Sequence, residues 1–186
     1  MVKVPTVRFA PVKVPMHRRL QTACCAVGLT LPFFLMFLNF VFIFTPALWP
    51  LYIIYLVWFL CWDRGAEGSD NKRWPWLQNM ALYKHFREYF PSTLVRTQEL
   101  DPSKTYIFGA HPHGIIGISV WCNIVNAFSG FEELFPIKLR VATLNSNFYI
   151  PFFRDYALLH GFISCARSCL LRVLRKKTSV MIVVGG

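Results

Sequence analysis

His111-Pro112-His113-Gly114 sets two imidazoles on one short turn. Pro112 fixes its own φ and biases His111 toward an extended backbone, so both rings can lie on one side, roughly 7 Å apart. An imidazole whose ordinary pKa is about 6.5 can take a hydroxyl proton near neutral pH and return it to a leaving group. Gly114 permits close backbone approach, and the free amides of a helix starting just after it favour a phosphate or a developing oxyanion. A base beside an anion site suits acyl transfer. The same pair equally fits part of a metal site or a satisfied structural turn. The nearest downstream acids, Glu132 and Glu133, complete no zinc set and orient no base, so no metal is expected.

The elements that must position this turn are legible as periodicity. Residues 106–110, 139–143 and 180–184 are apolar and strand-like, while 115–128, 156–160 and 166–175 are helix-like. Their alternation predicts an α/β class, a mixed or parallel sheet with helices on its faces. The histidines then sit on a strand-to-helix turn. Upstream, residues 79–90 form an amphipathic helix with Leu82, Phe86 and Phe90 on one stripe and Lys84, Arg87 and Glu88 off it, stopped by Pro91.

The chain is 55% hydrophobic, with a mean hydropathy of +0.41, too apolar for an ordinary soluble domain. Between Leu20 and Trp62 there is no Asp, Glu, Lys or Arg, far more than the about 20 apolar residues one crossing needs. Thr45-Pro46 and Pro50 divide this stretch into arms 20–44 and 47–62, which predicts a re-entrant or two-pass hairpin; one pass plus an interfacial arm is the alternative. Trp58 and Trp62 suit an interfacial belt. Lys3, Arg8, Lys13, Arg18 and Arg19, with no acid among them, place the N-terminal flank in the cytosol, and a hairpin brings the chain back there. The apolar stretch is too long for a cleaved signal peptide. The expected organisation is a basic arm at 1–19, a hairpin at 20–62, a linker at 63–73 and a catalytic domain at 74–186.

Twenty basic against nine acidic residues give a net charge of +11. Without a nucleic-acid motif, attraction to anionic headgroups explains this better than DNA or RNA. Arg172, Arg175, Lys176 and Lys177 form a second cluster that suits either headgroups or the phosphates of an anionic cofactor. Six cysteines make no disulfide framework and are expected as thiols, with Cys165 and Cys169 on one helix face and Cys122 a buried helical thiol. Trp74-Pro75-Trp76 fits an interfacial footing or an ordinary core pair equally. His85 and His160 read as structural or exposed.

Four segments, in order, resemble the type 2 diacylglycerol acyltransferases and the related monoacylglycerol and wax ester acyltransferases. They are Tyr89-Phe90-Pro91, the stretch from Tyr106 to Gly114 with His-Pro-His-Gly, Pro151-Phe152-Phe153-Arg154-Asp155, and Val183-Val184-Gly185-Gly186. The resemblance runs from about Trp74 to the end, and the hairpin anchor suits it. It implies an enzyme of the endoplasmic reticulum membrane, able to associate with lipid droplets, that moves a fatty acyl group from acyl-CoA to the hydroxyl of diacylglycerol. No bound cofactor is implied; acyl-CoA is a co-substrate, membrane lipids are the other partners, and homo-oligomers are compatible with the family. His111 or His113 would be the catalytic base. Gly114 and Arg154 would contact substrate, with an Arg154–Asp155 ion pair as the alternative for Arg154. Many glycerolipid acyltransferases place an Asp five positions after the histidine; here those positions hold Ile116 and Ile118, and this family lacks that dyad in general. Family sequences continue past the Gly-Gly through an acidic position and further strands, which implies a C-terminally truncated domain. Monoacylglycerol or wax alcohol acyl transfer, and a non-catalytic membrane interaction module, are the competing functions.

Overall fold

A computed structural model describes residues 13–62, 73–90, 92–112 and 117–184 of the chain. Helix α1 (Met16–Phe44) runs unbroken for 29 residues through Pro32. At 1.5 Å per residue it is about 44 Å long, more than the about 30 Å of a bilayer's hydrocarbon. It is long and apolar enough to cross a membrane, and Phe33, Phe34, Phe37 and Phe40 along it are exposed.

A 3₁₀ turn at Pro46–Leu48 leads to α2 (Trp49–Val57), which widens into a π turn at Trp58–Trp62. Prolines suit these starts because the first helical amides have no partner to lose. Helix α2 folds back on the end of α1: the Tyr52 hydroxyl donates to Asn39 Oδ1 at 3.0 Å, and the Tyr52 and Phe42 rings lie 5.1 Å apart. Next come α3 (Pro75–Gln78) and α4 (Ala81–Tyr89). Tyr83 and Phe86 are the buried residues of α4, and Phe86 packs with Cys25 of α1 and Cys122. Trp74 and Trp76 are exposed, their rings 5.2 Å apart, as an interfacial footing requires and a core pair does not.

The α/β part follows as β1 (Ile107–Ala110), α5 (Ile118–Val120), α6 (Phe131–Leu134), β2 (Leu139–Thr143), α7 (Phe153–Leu159), β3 (Phe162–Ser164), α8 (Arg167–Arg175) and β4 (Ser179–Val183). The four strands form one sheet in the order β1-β4-β2-β3, every pair parallel. Side-chain alternation gives the sheet two apolar faces. Ala142, Ile163 and Val180 pack under Cys169 and Val173 of α8. Val141, Met181 and Val183 face Val120 and Val125 on the other side.

Two expectations need correction. Residues 117–128, the described part of the helix expected over 115–128, do not make one regular helix: α5 passes into a π turn at Trp121–Val125 and then a 3₁₀ turn at Ala127–Ser129. Asn126 causes the break, its side-chain amide donating to the carbonyls of Trp121 at 2.7 Å and Cys122 at 3.1 Å in place of continued helix. Strand β3 carried no sequence signal because it has only three residues. The described cysteines are all free thiols. Cys165 precedes α8 rather than sharing a face of it with Cys169, and its amide donates to the Thr143 carbonyl at 2.9 Å.

Candidate active site

His111 directly follows the last residue of β1, so it stands at the C-terminal edge of the sheet. Ligands of open parallel sheets bind outside that edge. The Val184 amide donates to the Ala110 carbonyl at 2.8 Å, carrying the β1–β4 pairing up to the histidine. His111 is exposed. Its Nε2 lies 3.4 Å from where a side chain on Gly109 would begin, so the ring folds back along β1. His113 and Gly114, with the expected start of the helix at Ile115, lie outside the described residues.

Close by in sequence, Gly117 and Ile118 join an apolar cavity of about 390 Å³ that opens beside Thr143 at the end of β2. Its far wall is the α1 stripe of Gly28, Leu29, Pro32, Phe33 and Met36. The volume falls within the range of about 300–1,000 Å³ typical of ligand sites. Gly28 makes this wall possible, since a Cβ there would come 2.7 Å from the Phe86 ring. Gly28→Val is therefore expected to push Phe86 off α1 or into the cavity, costing about 1–3 kcal/mol. Thermal unfolding in detergent measures the loss.

Tyr83 and Tyr156, which line this cavity, both bond to a second imidazole. His160 is 4% exposed; its Nδ1 donates to the Tyr156 carbonyl at 2.7 Å, and its Nε2 accepts from the Tyr83 hydroxyl. Burial pushes its pKa down to about 4, against the opposing pull of the Tyr156 carbonyl. Burial likewise pushes Tyr83 up to about 12. This pair is neutral and fully engaged, a wall element rather than a base. Between pH 6.5 and about 4 the unfolded chain binds a proton here that the folded chain refuses. Stability is therefore highest above that window and falls as pH drops through it, by up to about 3 kcal/mol. Unfolding measured across the window should show this slope, and His160→Asn should flatten it. Cys122, also fully buried, is pushed by burial up to about 11, which leaves it no thiolate for covalent catalysis.

Arg154, expected either to contact a CoA phosphate or glyceride or to pair with Asp155, is 5% exposed. Its Nη1 donates to the Phe59 carbonyl at 3.1 Å, and the guanidinium lies 3.5 Å above the Phe59 ring. The Asp155 carboxylate is 3.9 Å from its Nε, so the ion pair is the arrangement present. Tyr55 completes the joint, donating to Asp155 Oδ2 at 2.6 Å while accepting from the Phe152 amide at 2.7 Å. Phe152 takes a positive φ of 61°, a conformation costly to a bulky residue. Its ring, stacked 4.6 Å from Tyr55, holds it there. Helix α7 thus grips the second apolar arm while Phe153, Tyr156 and Ala157 line the cavity.

The basic cluster lies at the opposite edge. Arg172 and Arg175 are in the last turn of α8, which runs back toward the N-terminal ends of the strands. There Arg73, Lys138, Arg140 and Lys176, with Glu132 bonded to Arg73 at 3.4 Å, surround a hollow of about 560 Å³. The five residues of β4 put about 16 Å between this rim and the histidine edge.

The family described as Diacylglycerol acyltransferase matches residues 41–186. The chain belongs to that family. It is 40% identical over 98% of its length to Diacylglycerol O-acyltransferase 2A of Umbelopsis ramanniana, covering 53% of that protein. It is 39% identical over 97% of its length to Diacylglycerol O-acyltransferase 2 of Dictyostelium discoideum, covering 55%. With 2-acylglycerol O-acyltransferase 1 of Bos taurus it shares 38% identity over 97% of its length, covering 56%. The chain spans about half the length of these relatives. No solved structure matches it.

Proposed function

We propose that the whole protein to which this chain belongs is an acyl-CoA-dependent O-acyltransferase of the endoplasmic reticulum membrane, making triacylglycerol from diacylglycerol. The reading is supported by the apolar cavity shared between α1 and the C-terminal end of β2, at the same edge of the sheet at which His111 follows β1. One wall belongs to a helix of membrane length, so a fatty chain can move between bilayer and cavity without crossing water. Either imidazole removes the proton from the acceptor hydroxyl, whose oxygen attacks the thioester carbonyl carbon. The carbon–sulfur bond then breaks, and the CoA thiolate leaves with the proton from the imidazolium. The amides beginning with Gly114 steady the oxyanion. Arg154 acts through the arm it holds. The two apolar arms enter the bilayer from the cytosolic side as a hairpin, and the basic rim meets anionic headgroups.

The acceptor is the finer part of the proposal. Membranes bearing the full-length protein, given labelled acyl-CoA and equal diacylglycerol, monoacylglycerol and long-chain alcohol, are expected to label triacylglycerol most. Dominant diacylglycerol or wax ester would reassign the acceptor, and no ester above background would remove the activity.

A further inference from the structure

Apart from the histidine turn, two helices bring a second set of donors together. His17 stands in the first turn of α1, while His85 and Glu88 lie one turn apart on α4. Glu88 Oε2 is 3.4 Å from His17 Nε2 and 3.4 Å from His85 Nδ1. All three donor atoms lie within 4.8 Å of one another. Zinc bonded at about 2.0–2.1 Å in a tetrahedron holds its donors about 3.3 Å apart, so the two measured edges are already those of a zinc site.

The surroundings favour a cation over a simple ion pair. His85 Nδ1 is buried and makes no hydrogen bond among the described residues, and an imidazole nitrogen left so carries a desolvation cost that a metal bond removes. Gln21, 3% exposed, donates through Nε2 to Glu88 Oε2 at 3.3 Å, and its Oε1 accepts from Arg18. That fixes the carboxylate as an outer-shell partner does. His17 leaves the site open to water on one side, its side chain 60% exposed, room for a fourth, solvent ligand. Two neutral imidazoles and one carboxylate are a donor set suited to zinc rather than calcium or magnesium.

We propose that His17, His85 and Glu88 bind one zinc ion that staples the start of α1 to α4. The staple holds the two helices whose Gly28 and Phe86 meet at the cavity wall, so zinc tightens the cavity from a distance. The proposal does not depend on the acyltransferase reading.

The test is zinc and cobalt titration of the chain purified in detergent. One equivalent is expected to bind, with visible cobalt bands of four-coordinate geometry and no thiolate charge-transfer band. His17→Ala changes an exposed side chain and leaves folding intact; with His85→Ala and Glu88→Gln it should weaken binding by more than the roughly 10–100-fold that losing an outer-shell partner costs. Zinc should raise the unfolding temperature of the parent and not of these variants. Binding unchanged in all three, a thiolate band pointing to the cysteines, or no binding at micromolar zinc would each overturn the proposal.

Discussion

Alanine at His111 or His113 is expected to lower acyl transfer by about 10²–10⁴-fold at whichever residue is the base, with the protein still folded and membrane-bound. His111 is exposed at the end of β1, so its removal opens no cavity. The non-catalytic partner of the pair should cost far less. The two single variants, assayed in membranes with labelled acyl-CoA at matched protein level, therefore assign the base. If both keep parental activity, the proton is taken elsewhere.

The second large effect is structural. Arg154→Met removes the cation that binds the Phe59 carbonyl and covers its ring, leaving the partly buried Asp155 with the Tyr55 hydroxyl as its hydrogen-bond partner among the described residues. Losing the charged hydrogen bond to the Phe59 carbonyl should cost about 1.5–3 kcal/mol. Tyr55→Phe removes both its donation to Asp155 and its acceptance from Phe152 and should cost about 1–3 kcal/mol. The strained Phe152 then loses its hydrogen bond while keeping its ring contacts, so the two variants should not add. Both are read as lowered unfolding temperature and faster proteolysis between the apolar arm and α7. A direct substrate-binding arginine would instead raise KM with stability unchanged.

Much of this architecture could be read from residue patterns, and the limits have physical causes. Strands β1, β2 and β4 announce themselves as apolar runs of four or five residues, although β1 is only half-buried along one face, whereas β3 has three residues and no pattern to show. The helix expected after the histidines was read from apolar length alone; Asn126, whose short amide competes for main-chain carbonyls, was the available warning. Adjacency made Arg154–Asp155 visible as a pair, but only folding shows both turned to residues about a hundred positions earlier. The cavity is likewise invisible in one dimension, because its walls join residue 28 to residue 162. His85-x-x-Glu88 was a legible half-site on a helix, and its third donor, His17, lies on another element.

The central claim is that the cavity between α1 and the sheet edge holds the fatty chain presented to the histidine turn. The most direct measurement is photo-crosslinking of the full-length protein with an acyl-CoA carrying a diazirine near the end of its chain, followed by mapping of the labelled residues. Label on the α1 stripe from Leu29 to Met36 and on Phe86, lost in Gly28→Val, is the predicted result. Label confined to the basic rim around Arg172 and Lys176, or spread along α1 without regard to face, would contradict it.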